Sequence, residues 1–197
     1  MHVAIIKYNA GNIRSVAFAL DRLGISYSVT DLPEEITTAD RVIFPGVGEA
    51  SSTMRYLKDH QLDKVIQHLT QPTLGICLGM QLMCSFSEEN NTTCLGIFNE
   101  RVMRFQSPGL KVPHMGWNTL EQACDWLEPG LGGRFVYFVH SYYVPLCEST
   151  SAQTSYGQPF SSALRKGNFH AVQFHPEKSA ETGVIVIRNF LNSQPTR

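Results

Sequence analysis

The chain has 197 residues, 43% hydrophobic and 17% charged, the size and composition of one globular domain that buries its own core. Sixteen basic against 17 acidic residues leave a formal net charge of -1, so no basic face points to nucleic acid or an anionic membrane. Five cysteines without a CxxC pair suggest neither a zinc site nor a disulfide framework, and the seven histidines show no metal-ligand spacing. The start, MHVAIIK, lacks the features of a signal peptide, and no uncharged stretch approaches the length of a membrane span. The expectation is a soluble cytoplasmic protein without a metal or other cofactor.

Residues 3–7 are a continuous apolar run, as in a strand covered on both faces. Residues 12–23 follow with Ile13, Val16, Ala17, Leu20 and Leu23 at helical spacing, and Gly24 as the stop. Residues 26–30 and 41–44 read as strands, the second running into Pro45-Gly46-Val47-Gly48. A helical stretch over 49–69, broken near Asp59, precedes a strand over 73–76 and a helix from Leu78. Strands alternating with helices predict a parallel sheet built by right-handed crossovers. After Thr93 the texture changes: 101–106, 135–144, 151–156, 161–165 and 169–174 are strand-like with short turns, which suits an antiparallel extension. Residues 181–191 close the chain as a helix. With no repeat, low-complexity tract or linker, the chain is expected to be one α/β domain over residues 1–197. A mostly parallel central sheet is flanked by helices and carries an antiparallel extension.

The stretch TLGICLGMQLM, residues 73–83, places Cys77 between two glycines where a strand turns into a helix. In such an elbow the nucleophile sits on a strained backbone, and bulky neighbours would clash with the turn. Gly75 and Gly79 remove them, giving Gly-x-Cys-x-Gly in place of the Gly-x-Ser-x-Gly of serine hydrolases. The helix N-terminus favours thiolate, and the Leu78 amide points at the oxyanion that would form. A tightly packed core cysteine is the competing reading of this motif alone.

A thiolate that cleaves an amide needs an acid for the leaving nitrogen and then a base for water. AVQFHPEKS, residues 171–179, offers both. Pro176 biases His175 toward extended backbone, where residues two apart share a face. Glu177 can therefore fix the imidazole tautomer while the other ring nitrogen faces Cys77. FPGVG, residues 44–48, sits at the end of the preceding strand and can supply a second oxyanion donor from its flippable peptides. No Gly-x-x-x-x-Gly-Lys-[Ser/Thr] occurs, which excludes a nucleotide P-loop.

The elbow, His-Pro-Glu and Pro-Gly-Val-Gly, in this sequence, resemble the class I (triad) glutamine amidotransferases, although Met80-Gln81 stands where many members have His-Gln. KVPHMGWN (111–118), FVHSYY (138–143) and QFHPEKS (173–179) look like the glutaminase subunits of imidazole glycerol phosphate synthase. KYNAGNIRSV (7–16) is similar to the start of that family, with Lys7 in place of an acid and Asn9 in place of glycine. The resemblance spans essentially the whole chain and implies a flavodoxin-like fold and hydrolysis of glutamine by Cys77, His175 and Glu177. Val47, Gly48 and Leu78 would form the oxyanion hole. Gly46, Gln81, Ser141 and Tyr142 would grip the substrate, with Glu89 receiving its ammonium group and Glu88 a close competitor. The ammonia acceptor would bind another chain, a (β/α)₈-barrel cyclase in a heterodimer, against Trp117, Tyr137 and Lys178. Met115 and Trp117 can equally be read as core. A glutaminase subunit of anthranilate or aminodeoxychorismate synthase is the runner-up, and a peptidase-type cysteine hydrolase or a redox-sensing scaffold is more distant. A final expectation concerns Gly46-Val47-Gly48: the free chain holds a carbonyl, not an amide, toward the oxyanion position.

Overall fold

The computed structural model describes residues 1–8, 12–106 and 109–194. Its first half runs β1 (His2–Ile6), α1 (Ile13–Arg22), β2 (Ser26–Thr30), α2 (Pro33–Thr38), β3 (Arg41–Phe44), α3 (Ala50–Asp59), α4 (Leu62–Gln67), β4 (Thr73–Ile76) and α5 (Leu78–Met83). β1 pairs in parallel with β2 on one side and β3 on the other, and β3 continues in parallel to β4. Alternation along β1 sends Val3 and Ile5 to one face, where Ile43, Leu74 and Ile76 meet Val16 and Leu20 of α1. Ile6, Val42 and Phe44 face the other way, onto Met54 and Leu57 of α3 and Leu62 and Ile66 of α4. Gly24 ends α1 at φ +69, a conformation that costs glycine little. The break expected near Asp59 falls at Gln61, whose φ is +58.

The second half contains β5 (Phe86–Ser87), β6 (Thr92–Thr93), β7 (Arg101–Arg104), β8 (His114–Thr119), β9 (Gln122–Ala123), β10 (Phe135–His140), β11 (Tyr142–Tyr143), β12 (Thr150–Ser155), β13 (Pro159–Lys166), β14 (Phe169–Val172) and α6 (Ala180–Asn192). The main sheet has the order β2-β1-β3-β4-β14-β13-β12-β9. Val186, Ile187, Phe190 and Leu191 of α6 share the apolar cluster of α1. β13, β12 and β9 form the antiparallel extension.

Three expectations about strands need correction. β14 belongs to the parallel part, since it pairs in parallel with β4; only its other edge, joined to β13 by a turn with Gly167 at φ +59, is antiparallel. The stretch 135–144 is not one strand: β10 pairs with β8, β11 pairs with β7, and Ser141 lies between them. β7 likewise joins a separate four-stranded sheet, β11-β7-β5-β6, and not the extension. β8 and α2 are elements the sequence reading did not assign. Among the described residues no helix is long and apolar enough to cross a membrane.

β3, β4 and β14 are neighbours in the sheet and run in parallel, so FPGVG, Cys77 and His175 all emerge at the same edge. This is the carboxyl edge of a parallel sheet, where open α/β folds place their ligands.

Candidate active site

β4 ends at Ile76 and α5 starts at Leu78, so Cys77 alone turns the chain, with φ +52 and ψ -104. Few residues with a side chain are held there, and the surroundings must enforce it. A Cβ on Gly79 would lie 2.1 Å from the Phe44 carbonyl oxygen. One on Gly75 would lie 2.8 Å from Met83 Sδ, and one on Gly46 2.6 Å from Leu78 Cβ. These glycines thus let β3, β4 and α5 converge, while the Cys77 amide donates to the Val172 carbonyl at 2.8 Å.

His175 is extended, with φ -99 and ψ 96, and Pro176 opens a 3-10 turn over Pro176–Lys178. His175 Nδ1 lies 2.7 Å from Glu177 Oε1, both side chains being fully buried. Asn12 Nδ2 donates to the same carboxylate oxygen and lies 3.3 Å from His175 Nδ1. The His175 amide donates to the Tyr137 carbonyl at 2.9 Å. Burial of the imidazole works against its protonation, but the Cys77 charge and Glu177 outweigh it and push the pKa up to about 10. The imidazole is thus suited to carry and deliver a proton. Among the described residues Nε2 has no hydrogen-bond partner. The Cys77 sulfur sits 3.6 Å from Gln173 Nε2 and 3.8 Å from the Val139 carbonyl oxygen.

The Leu78 amide donates to the Gly46 carbonyl at 3.4 Å. Because a trans peptide sets its C=O and N–H in opposite directions, the Val47 N–H on that unit points away from Leu78. The Tyr8 hydroxyl donates to the Pro45 carbonyl at 2.5 Å, one residue upstream. Burial, reinforced by Cys77, raises the pKa of this phenol and keeps it a donor.

A cavity of ≈ 280 Å³ opens over the elbow, lined by Val47, Gly48, Cys77, Leu78, Gln81, Glu89, Ser141 and Tyr142, together with Pro113, Val139 and His140. Gly46, expected at the substrate, is not in its wall; its carbonyl is turned to Leu78. His175 and Glu177 lie behind the wall. Gln81 Nε2 donates to the Tyr142 carbonyl at 3.0 Å and to Gln173 Oε1 at 2.9 Å. Of the two competing acids, Glu89 lines the cavity, accepting from the Ala50 amide at 2.8 Å with its pKa raised by burial. Glu88 turns away to accept from the Arg104 amide at 2.8 Å. Such a wall sets the Glu89 carboxyl and the Cys77 sulfur around one cavity. Among the described residues no group of three or more His, Cys, Asp or Glu side chains could hold a metal ion.

Trp117 and Tyr137 meet edge to face at 6.0 Å on the β8–β10 ribbon, and Lys178 Nζ lies 6.0 Å from the Tyr137 ring. Met115 and Trp117 are 63% and 53% exposed, so they are not core residues. Phe135, 58% exposed, extends the apolar face. Lys7, the charge-reversed position, pairs with Asp31 at 3.7 Å, while Asp31 also accepts from the Tyr56 hydroxyl at 3.0 Å. Asn9 lies outside the described residues.

Sequence reasoning missed Tyr8, Asn12, His140 and Gln173. Gln173 carried a usable signal: it stands two residues before His175, as Glu177 stands two after, on the same period. Tyr8 and Asn12 lie within KYNAGNIRSV, but their roles were not readable from it, since the groups they touch lie 37 and 165 residues away.

A strained cysteine elbow, a buried His–Glu pair and a sheet-edge cavity on a mixed, largely parallel sheet form the arrangement expected of a cysteine-nucleophile amidohydrolase. The family model for glutamine amidotransferase class-I matches residues 4–193. The HisH subunit of imidazole glycerol phosphate synthase from Bacteroides fragilis (strain YCH46) is 59% identical over 194 residues, covering 97% of this chain and 99% of that one. The HisH subunit from Idiomarina loihiensis is 46% identical over 191 residues, covering 97% of each. A crystal structure of a glutamine amidotransferase superposes with a TM-score of 0.75 at 22% identity, covering 96% of both chains, a likeness of fold. The chain belongs to the class-I glutamine amidotransferases and, within them, to the HisH subunits.

Proposed function

We propose that the chain hydrolyses glutamine to glutamate and ammonia and hands the ammonia to a cyclase subunit of imidazole glycerol phosphate synthase. That subunit, a (β/α)₈ barrel in a cytoplasmic heterodimer, uses it to form imidazole glycerol phosphate and AICAR in histidine biosynthesis. The chain acts throughout as one amidotransferase domain, residues 1–197. The observation that carries this reading is the buried His175–Glu177 pair, 2.7 Å apart, behind the Cys77 elbow.

Glutamine enters with its ammonium group on Glu89 and its backbone along Gln81, Ser141 and Tyr142. The Cys77 thiolate adds to the side-chain amide carbon, forming the C–S bond as the carbonyl π pair moves to oxygen. The Leu78 amide holds that oxyanion once Gly46 releases it, with a Val47 or Gly48 amide as second donor. His175 gives its proton to the nitrogen, the C–N bond breaks and ammonia leaves. The neutral imidazole then takes a proton from water, hydroxide attacks the thioester, and glutamate departs as Cys77 regains its electron pair. Glu177 and Asn12 keep the imidazole oriented throughout. Trp117, Tyr137 and Lys178 form the partner face; the apolar ring surface and a cation suit an interface with an acidic position opposite.

Co-purification of the chain with a cyclase subunit, followed by assay of product formation, tests the reading. Glutamine-dependent product is expected from the pair; a complex that uses only free ammonia would contradict it.

A further inference from the structure

The cysteine nucleophile and the histidine account for bond breaking, yet the sulfur also has a polar neighbour outside the triad and the oxyanion loop. It is the carboxamide of Gln173, which is completely buried and whose Nε2 lies 3.6 Å from Cys77 Sγ. The orientation of that carboxamide follows from its partners. The Tyr142 backbone carbonyl can only accept, so Gln81 must turn its NH₂ toward it, at 3.0 Å. The second N–H of the same NH₂ reaches Gln173 Oε1 at 2.9 Å. Gln173 Oε1 is thereby the acceptor, and its NH₂ faces the sulfur.

Also within reach of the sulfur is the Val139 carbonyl oxygen, at 3.8 Å. It can accept from S–H but offers nothing to S⁻, whereas Gln173 can donate to either form and binds the charged one more strongly. The two neighbours therefore pull the thiol in opposite directions, Val139 toward the protonated and Gln173 toward the ionised state.

We propose that Gln173 is a further catalytic residue, a hydrogen-bond donor to the Cys77 sulfur that favours the attacking thiolate, and that Gln81 positions it. This deepens the glutaminase reading and rests on it for the role of Cys77. Substrate contact at Gln81 and readiness of the nucleophile then share one chain of carboxamides, running from the cavity wall to the sulfur.

The test uses alkylation of Cys77 by iodoacetamide as a function of pH, without glutamine, so it reports on the sulfur even if no ammonia is ever released from glutamine. The groups that face or adjoin the sulfur, Tyr8 after β1, His140 from β10 and His175 with Glu177 after β14, stay unchanged in each variant. Gln173→Met conserves volume and removes the donor; its alkylation midpoint is expected to rise by ~1–2 pH units and kcat for glutamine to fall ~10- to 100-fold. Gln81→Met is expected to move the midpoint the same way by a smaller amount, which a residue that only gripped glutamine would not do. In the unaltered protein the Gln173 side-chain amide resonance is expected to shift as Cys77 ionises and again when it is alkylated, a measurement independent of whether either variant folds. An unmoved midpoint in folded Gln173→Met, or an amide resonance indifferent to the state of Cys77, would overturn the assignment.

Discussion

The Leu78 amide, at the start of the helix that follows the cysteine, donates to the Gly46 carbonyl at 3.4 Å. In the proposed mechanism an oxyanion formed at Cys77 needs that amide, which here already donates to a carbonyl. This is the orientation expected of the free chain. The loop that would have to turn is short and held at both ends, by Tyr8 on Pro45 and by Glu89 on the Ala50 amide. The isolated chain should therefore hydrolyse glutamine ~10²–10³-fold more slowly than the complex with ligand-loaded cyclase, the cost of one missing oxyanion donor. A ligand can turn the peptide only by binding the turned state more tightly. Equal steady-state ammonia release from both would refute this gating.

Glu177→Gln should lower glutamine turnover less than His175→Ala. In the proposed mechanism the imidazole moves both protons while the carboxylate orients it; Asn12 bonds to the same carboxylate oxygen. Single-turnover rates on folded variants decide the order, and equal or reversed losses would remove it.

Gly183 of α6 supports the pair from below. A Cβ there would sit 1.8 Å from the carbonyl oxygen of Pro176, the residue between His175 and Glu177. Gly183→Ala should cost ~1–3 kcal/mol of stability by overpacking and cut turnover at least ~10-fold, though residue 183 touches no substrate. Gly130→Ala, whose Cβ would meet nothing within 4 Å, serves as the control. Thermal unfolding and turnover measured together check it; full activity in Gly183→Ala would contradict the support role.

Stability should peak near neutral pH. Burial pushes His114, His140 and His170 down to about 4, 3 and 4, from an ordinary 6.5. Between those values the unfolded chain binds more protons, so their contribution is present above 6.5 and is lost as pH falls toward 3. His175 has the opposite sign: raised to about 10, it contributes fully below 6.5 and loses that contribution as pH rises through 10. Urea midpoints between pH 4.5 and 9.5 should fall on both sides, with a limiting slope of ~1.4 kcal/mol per pH unit for each histidine. A profile flat from 6.5 down to 4.5 would mean these side chains are not held neutral.

The parallel half of the fold was legible because β1, β3 and β4 are buried on both faces and read as short, largely apolar runs, with the edge strand β2 set between the Gly24 stop and Pro33. Residues 26–30, 41–44 and 73–76 carry the same bounds in sequence and structure. α2 escaped because its six residues, PEEITT, hold a single buried side chain, Ile36, which sets no period. β8 escaped because His114, Trp117 and Asn118 alternate by role rather than by hydrophobicity: the histidine is buried and the tryptophan exposed. At the site, Cys77, His175 and Glu177 were readable because local backbone brings the last two together and the elbow marks the first. Asn12, Tyr8 and the Gln81–Gln173 contact depend on which strands become neighbours, and that order is set by packing across the whole sheet.

The central claim is a division of labour between ammonia release here and ammonia use on a partner. It is tested most directly by Cys77→Ala in complex with the cyclase subunit, assayed once with glutamine and once with ammonium salt. Glutamine-driven synthesis should vanish while ammonia-driven synthesis continues at the rate of the unaltered complex. Loss of both activities in an assembled complex, or retention of the glutamine-driven one, would contradict the account.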